Sequence, residues 1–149
     1  MKNTSMQVSL ELVGDEFDIN YITELLNREP DYQLKKGDVI KLTKRESPYT
    51  IWRISVKESE SLDLDTHTNP IFDFVERNLE GFKLIAKEIK ADWFIRIYMT
   101  IRNGRSPSIG FTPRQVELAN IIKADIDFDL YVHDFCPGDD VYTGSCGRD

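Results

Sequence analysis

The chain has 149 residues, 40% hydrophobic and 30% charged, with a formal net charge of −7 and two cysteines. That length fits one domain of roughly 100–150 residues, and the hydrophobic content excludes a disordered chain. No run approaches the ~18 apolar residues of a membrane span, and the opening MKNTSMQVSLELVGDEF has no signal-peptide core, so cytoplasmic residence is the expectation.

Residues 6–12 alternate apolar and polar side chains, which predicts a half-buried strand. Gly14-Asp15 ends it, and Asp18 is placed to cap a helix running to Asn27 with Ile19, Ile22, Leu25 and Leu26 on one face. Pro30 stops that helix, and the segment DYQLKKGDVIKL predicts a loop entering a short strand, with Gly37-Asp38 as its turn. Residues 49–56 form the next predicted strand, with Trp52, Ile54 and Val56 on one side.

A polar connection over residues 58–68 leads to Asn69-Pro70, where Asn as cap and Pro at the first position predict a helix start. Its apolar stripe is Ile71, Phe74, Val75 and Leu79. Gly81 is expected to break or bend it before Phe82, Ile85, Ala86 and Ile89 continue the period. The strongest strand signal is residues 93–101, with Trp93, Ile95, Ile97, Met99 and Ile101 facing away from Phe94, Arg96, Tyr98, Thr100 and Arg102. Asn103-Gly104 is the best hairpin turn, so a short strand over residues 108–111 is expected. Thr112, Pro113 and Gln115 spell a capped helix start with a capping box, and Phe111 with Val116 fits a hydrophobic staple. Residues 125–132 alternate Asp or Tyr with apolar residues as a last strand.

The predicted order is β-α-β-β-α-β-β-α-β. Hairpins favour antiparallel pairing, so the expected fold is α+β, a single mostly antiparallel sheet with helices on one face. The segments after Phe17 and after Phe111 share a plan of aromatic, cap and short helix, which hints at two ferredoxin-like halves. Trp52, Ile54, Trp93, Ile95, Ile97, Phe128 and Leu130 are the expected core. Residues 1–132 make the expected domain and 133–149 an acidic tail.

Charge separates that end from the rest. Residues 125–149 hold seven Asp and one Arg, a balance of −6, whereas the preceding 124 hold 18 Lys/Arg against 19 Asp/Glu, a balance of −1. This disfavours nucleic acid and anionic membranes, which need a basic footprint, and favours a basic protein partner.

No motif for chemistry stands out. Asp125, Asp127 and Asp129 share one strand face and a D-x-D can hold a hard cation, but a charged exposed face, pairing with Arg96 and Arg102 across neighbouring strands, accounts for them. His67 lies near Asp63, Asp65 and Ser61 without a nucleophile elbow. Cys136 and Cys146 read as reduced thiols, with a small disulfide loop as the alternative; with His67 and His133 they have no C-x-x-C spacing for zinc. Lys35, Lys36, Lys41, Lys44 and Arg45, flanked by acids, read as a solvated loop. No metal and no cofactor is expected.

The stretches GDEFDINYITELLNREP, KKGD, YTIWRISV, WFIRIYMTI, GFTPRQVELANII and DIDFDLYV together resemble the bacterial family labelled domain of unknown function 4279, over about residues 7–132. The resemblance implies a bacterial α+β protein and brings no activity or catalytic residues. The expected function is a non-enzymatic protein-binding domain, in its specific form an immunity-type inhibitor of a basic toxin, docking through Asp134, Asp139 and Asp140. The alternative is a small-ligand-binding domain or small enzyme, its site assembled from His67, the Asp125/Asp127/Asp129 face and the tail.

Overall fold

The computed structural model describes residues 2–133. In chain order these form β1 (Ser5–Gly14), α1 (Ile19–Leu26), β2 (Tyr32–Leu34), β3 (Thr50–Ser55), α2 (Leu64–Arg77), α3 (Leu79–Glu88), β4 (Ala91–Arg102), α4 (Pro113–Ile121) and β5 (Asp125–His133). The strands make one sheet in the order β2-β3-β1-β4-β5, antiparallel at every neighbour except β4 and β5, which run parallel.

Alternation along the inner strands decides which side the helices cover. Val8, Leu10 and Leu12 of β1, Trp52 and Ile54 of β3, and Trp93, Ile95, Ile97 and Met99 of β4 are all buried. The helices meet them on that one side. Trp52 Nε1 donates to Thr23 Oγ1 of α1 at 3.2 Å. The Phe82 ring of α3 lies 4.9 Å from that of Trp93 and 6.0 Å from that of Phe74 of α2. The caps predicted at Asp18 and Thr112 form, the first accepting from Asn20 N and Tyr21 N, the second in a full capping box with Gln115.

Several expectations are corrected. The strand over residues 108–111 does not form; Ser108 makes only an isolated bridge with Asp63. Asn103 and Gly104 adopt the positive φ angles, 53° and 66°, of the expected turn. Pro107 then lacks a ladder donor and Gly110 a side chain to pack, and the chain crosses through α4 to add β5 in parallel, as such a connection requires. The sheet therefore has five strands rather than six. The segments after Phe17 and after Phe111, expected as ferredoxin-like halves, do not hold equivalent places: α1 leads to β2, which β3 separates from β1, whereas α4 leads to β5, the direct parallel neighbour of β4. The short second strand precedes the Gly37 turn instead of following it.

The long helix starts at Leu64, not at Asn69-Pro70. Asp63 caps it by accepting from Asp65 N, and Pro70 sits inside. Leu64, His67, Thr68, Ile71 and Val75 are its buried stripe, and the two polar members disguised the first turns as loop. Gly81 breaks nothing; the break is at Asn78, and Gly81 lies within α3 where a Cβ would approach Leu25 O of α1 to 2.9 Å.

Two expected core residues are outside it. Phe128 and Leu130 are 37% and 50% exposed, although Trp52, Ile54, Trp93, Ile95 and Ile97 are at most 4% exposed. β5 is an edge strand beyond the helix layer: Met99 of β4 is buried while its register partner Leu130 is half open. Only Ile126 of β5 packs at the margin of the core. Val116, expected to staple Phe111, is likewise exposed, and the Phe111 ring instead lies 6.0 Å from that of Phe128.

Candidate functional site

The face of the sheet away from the helices carries a charged row across its middle. Register sets Glu11 of β1 opposite Arg53 of β3 on one side and Phe94 of β4 on the other, with Arg96 opposite Ser9. The Glu11 carboxylate, its side chain only 5% exposed, accepts from Arg53 Nε at 2.6 Å and lies 3.7 Å from Arg96 Nε. Each arginine also stacks on an aromatic ring, Arg53 over Tyr32 at 4.7 Å and Arg96 over Phe94 at 4.8 Å. A buried carboxylate is tolerated here because two guanidinium groups offset its desolvation. Ser9 Oγ and Arg96 Nε are buried with no hydrogen-bond partner among the described residues.

The row continues onto β5. Asp125, Asp127 and Asp129 lie opposite Phe94, Arg96 and Tyr98, so all three carboxylates stand on the open face as the alternation predicts. Arg96 Nη1 reaches Asp127 Oδ2 at 3.5 Å, which realises one of the expected cross-strand pairs. Arg102 does not make the other, because register sets it opposite His133. Asp125 and Asp129 have no cationic partner among the described residues. Asp129 accepts from Tyr131 Oη at 2.9 Å, and that hydrogen bond, with the nearby negative charge, holds the Tyr131 hydroxyl above the usual tyrosine range.

Among the described residues, His67 and the aspartates of the alternative site do not meet. His67 is 1% exposed on the helix side of the sheet, with Nε2 2.9 Å from Ser61 O, whereas the three Asp of β5 face the other way. His67 is a structural tie between α2 and the segment before it. Gln115, also buried, serves similarly: its Nε2 donates to Asp65 Oδ1 at 2.9 Å and Asn69 Oδ1 at 3.0 Å, binding α4 to α2. Lys36 pairs with Asp15, and that hydrogen bond raises its pKa above the ordinary lysine value. Among the described residues no group of three His, Cys, Asp or Glu could hold a metal ion, and no helix is long and apolar enough to cross a membrane. Asp134, Asp139, Asp140, Cys136 and Cys146 lie outside the described residues.

Glu11, Arg53 and Ser9 were missed as site residues from the sequence. Their signal was a single opposite charge on the polar face of each of two strong strands, and it becomes legible only once β1 and β3 are known to be neighbours. A cleft of about 1160 Å³ opens at one end of this face, between the row and the segment joining α3 to β4, with Val13, Ile51, Phe94, Lys90, Asp92 and Arg96 in its lining.

Fold and face together define an α+β domain with one mixed sheet, helix-covered on one side and presenting arginine, aromatic and carboxylate side chains on the other. The chain belongs to the family described as domain of unknown function (DUF4279), whose match spans residues 3–133. No curated protein and no solved structure matches the chain.

Proposed function

We propose that this is a non-enzymatic protein-binding domain that docks a basic partner, in its specific form an immunity-type inhibitor covering a basic toxin in a bacterial cytoplasm. The observation that carries the reading is the aspartate row of β5. Asp125, Asp127 and Asp129 stand on a sheet face that no described helix covers, and among the described residues the one cation within reach, Arg96, is shared with Glu11. The −6 balance of residues 125–149 extends the same sign through Asp134, Asp139 and Asp140. Unneutralised carboxylates on one surface steer a basic protein and speed its association, an effect screened beyond about 8 Å at physiological salt. Arg53 and Arg96, held by Glu11 and stacked on rings, add the preorganised arginine and aromatic contacts that dominate interface energetics.

The test is association kinetics with a basic partner captured on the full chain. Asp125→Asn with Asp129→Asn, and separately the Asp134, Asp139 and Asp140→Asn triple variant, should leave stability within about 0.5 kcal/mol. Both should slow association at low salt, with the difference fading as salt rises. Unchanged on-rates in both variants would remove the acidic end as a docking surface.

The cleft beside the row favours a second reading, a small-ligand-binding domain. Its volume suits a small molecule, its walls are part apolar, and Arg96 is part of its lining. A compound that raises the melting temperature of the wild-type chain but not of Arg96→Met would support this reading over the first.

A further inference from the structure

We propose that the partner is held by strand addition at the outer edge of β5, through an extended segment alternating Lys or Arg with branched apolar residues. This rests on the basic-partner reading and specifies how contact is made. β4 fills one side of β5 along the whole run from Phe94↔Asp125 to Arg102↔His133, and among the described residues no strand lies on the other. Alternate N–H and C=O groups of β5 therefore point away from β4, offering a ladder.

The two edges of the sheet are treated differently. β2 has three residues, one of the ways by which sheets avoid unwanted pairing, whereas β5 has nine. Charge is the remaining protection of β5, and it has one sign and one face. On the other face Phe128, Leu130 and Val132 are 37%, 50% and 66% exposed. An added strand continues the pleat. Its residues beside 125, 127 and 129 meet carboxylates, and those beside 126, 128, 130 and 132 meet an apolar strip. Cations on one face and branched apolar side chains on the other complement this edge.

Other occupants fit it less well. A second copy continuing the sheet about a two-fold axis keeps faces matched, so Asp would stand beside Asp, which is destabilising. Residues 134–149 contain four Asp and one Arg, so laying them along β5 would also bring acid to acid.

The test uses the full chain and a synthetic peptide, acetyl-Lys-Val-Lys-Ile-Lys-Val-Lys-amide, at low salt. Two further versions are N-methylated, one on every Lys and the other on every apolar residue, so that charge is kept and one set of main-chain donors is lost. The expected result is binding of the parent, at least tenfold slower amide exchange across residues 125–133, and at least tenfold weaker binding of one methylated version only. Equal binding of all three would leave attraction by charge, sparing the basic-partner reading and overturning strand addition. No binding by any of them would overturn both. Amides of β5 as protected in the free monomer as those of β4 would show the edge already taken by residues 134–149. A concentration-dependent dimer with the same protection would give the edge to a second copy. Either result overturns the proposal.

Discussion

Leu25 and Gly81 hold α1 and α3 at backbone distance: a Cβ on residue 81 would stand 2.9 Å from the Leu25 carbonyl oxygen and 3.1 Å from Leu26 Cδ2. Gly81→Ala thus sets two effects against each other. Alanine is favoured over glycine inside a helix by about 1 kcal/mol, while forcing a methyl group into a packed contact costs about 1–3 kcal/mol. The close atom is backbone and cannot rotate away, so the clash wins. A net loss of up to about 2 kcal/mol is expected, read as a lower denaturant midpoint; a raised midpoint would mean that the helices can part without cost.

Position in the sheet should separate two substitutions that strand periodicity treats alike. Ile97 is fully buried, so Ile97→Ala should cost about 2–5 kcal/mol. Phe128 is more than one-third exposed on the edge strand, and Phe128→Ala should cost about 1–2 kcal/mol, mostly through its contact with Phe111. Equal shifts in urea midpoint would contradict the edge placement of β5.

Removing the charge of Glu11 leaves Arg53 and Arg96 facing each other across β1. Both arginine side chains are about one-third exposed and can recover some hydration, so Glu11→Gln should cost about 1–3 kcal/mol rather than the larger loss of a sealed pair. The double variant Glu11→Gln with Arg53→Gln should lose less than the sum of the single losses. Strict additivity in that cycle would show that the two residues do not interact.

Gln115 should matter more than its partner in the capping box. Thr112→Ala removes one cap, worth about 0.5–2 kcal/mol. Gln115→Ala removes the reciprocal cap and also strands Asp65 and Asn69, which accept from its amide. Thermal melts should therefore rank Gln115→Ala as the more damaging, and the reverse order would assign the α2–α4 contact to apolar packing alone.

The Tyr131–Asp129 pair gives a pH signature. The hydrogen bond to Asp129 is the largest cause that raises the Tyr131 pKa, so the folded chain favours the neutral phenol. The associated stabilisation is fully present below the ordinary tyrosine value of about 10 and is lost as pH rises through the raised one. In Asp129→Asn the Tyr131 titration, followed by NMR of a ring-labelled sample, should move to lower pH. An unmoved midpoint would remove the pair.

Where sequence and structure agree, local chemistry was decisive: the Asp18 and Thr112 caps, the Asn103-Gly104 turn and the alternation of residues 93–101 needed no knowledge of neighbours. Where they part, a neighbour overrode the local signal. Gly81 looks like a helix breaker until α1 is found against it, and Pro70 looks like a helix start until Asp63 is found capping earlier. Phe128 and Leu130 alternate as core residues do, yet burial depends on whether a helix lies above them. The charged row was legible only in part, because Asp125, Asp127 and Asp129 share one strand while Glu11, Arg53 and Arg96 are brought together by strand order.

The central position of β1 also constrains how the chain can fold. The first strand made has both its edges filled by later ones, Ser9 meeting Ser55 on one side and Arg96 on the other. The amino-terminal half can close β1 against β3, but the second edge stays open until β4 arrives. Such long-range pairing places the loop-closure cost ahead of its return and slows folding. β5 then adds outside a four-stranded sheet whose core is already complete. It has neither tryptophan as a register partner, and hydrogen exchange should find it opening as a separate unit below the free energy of global unfolding.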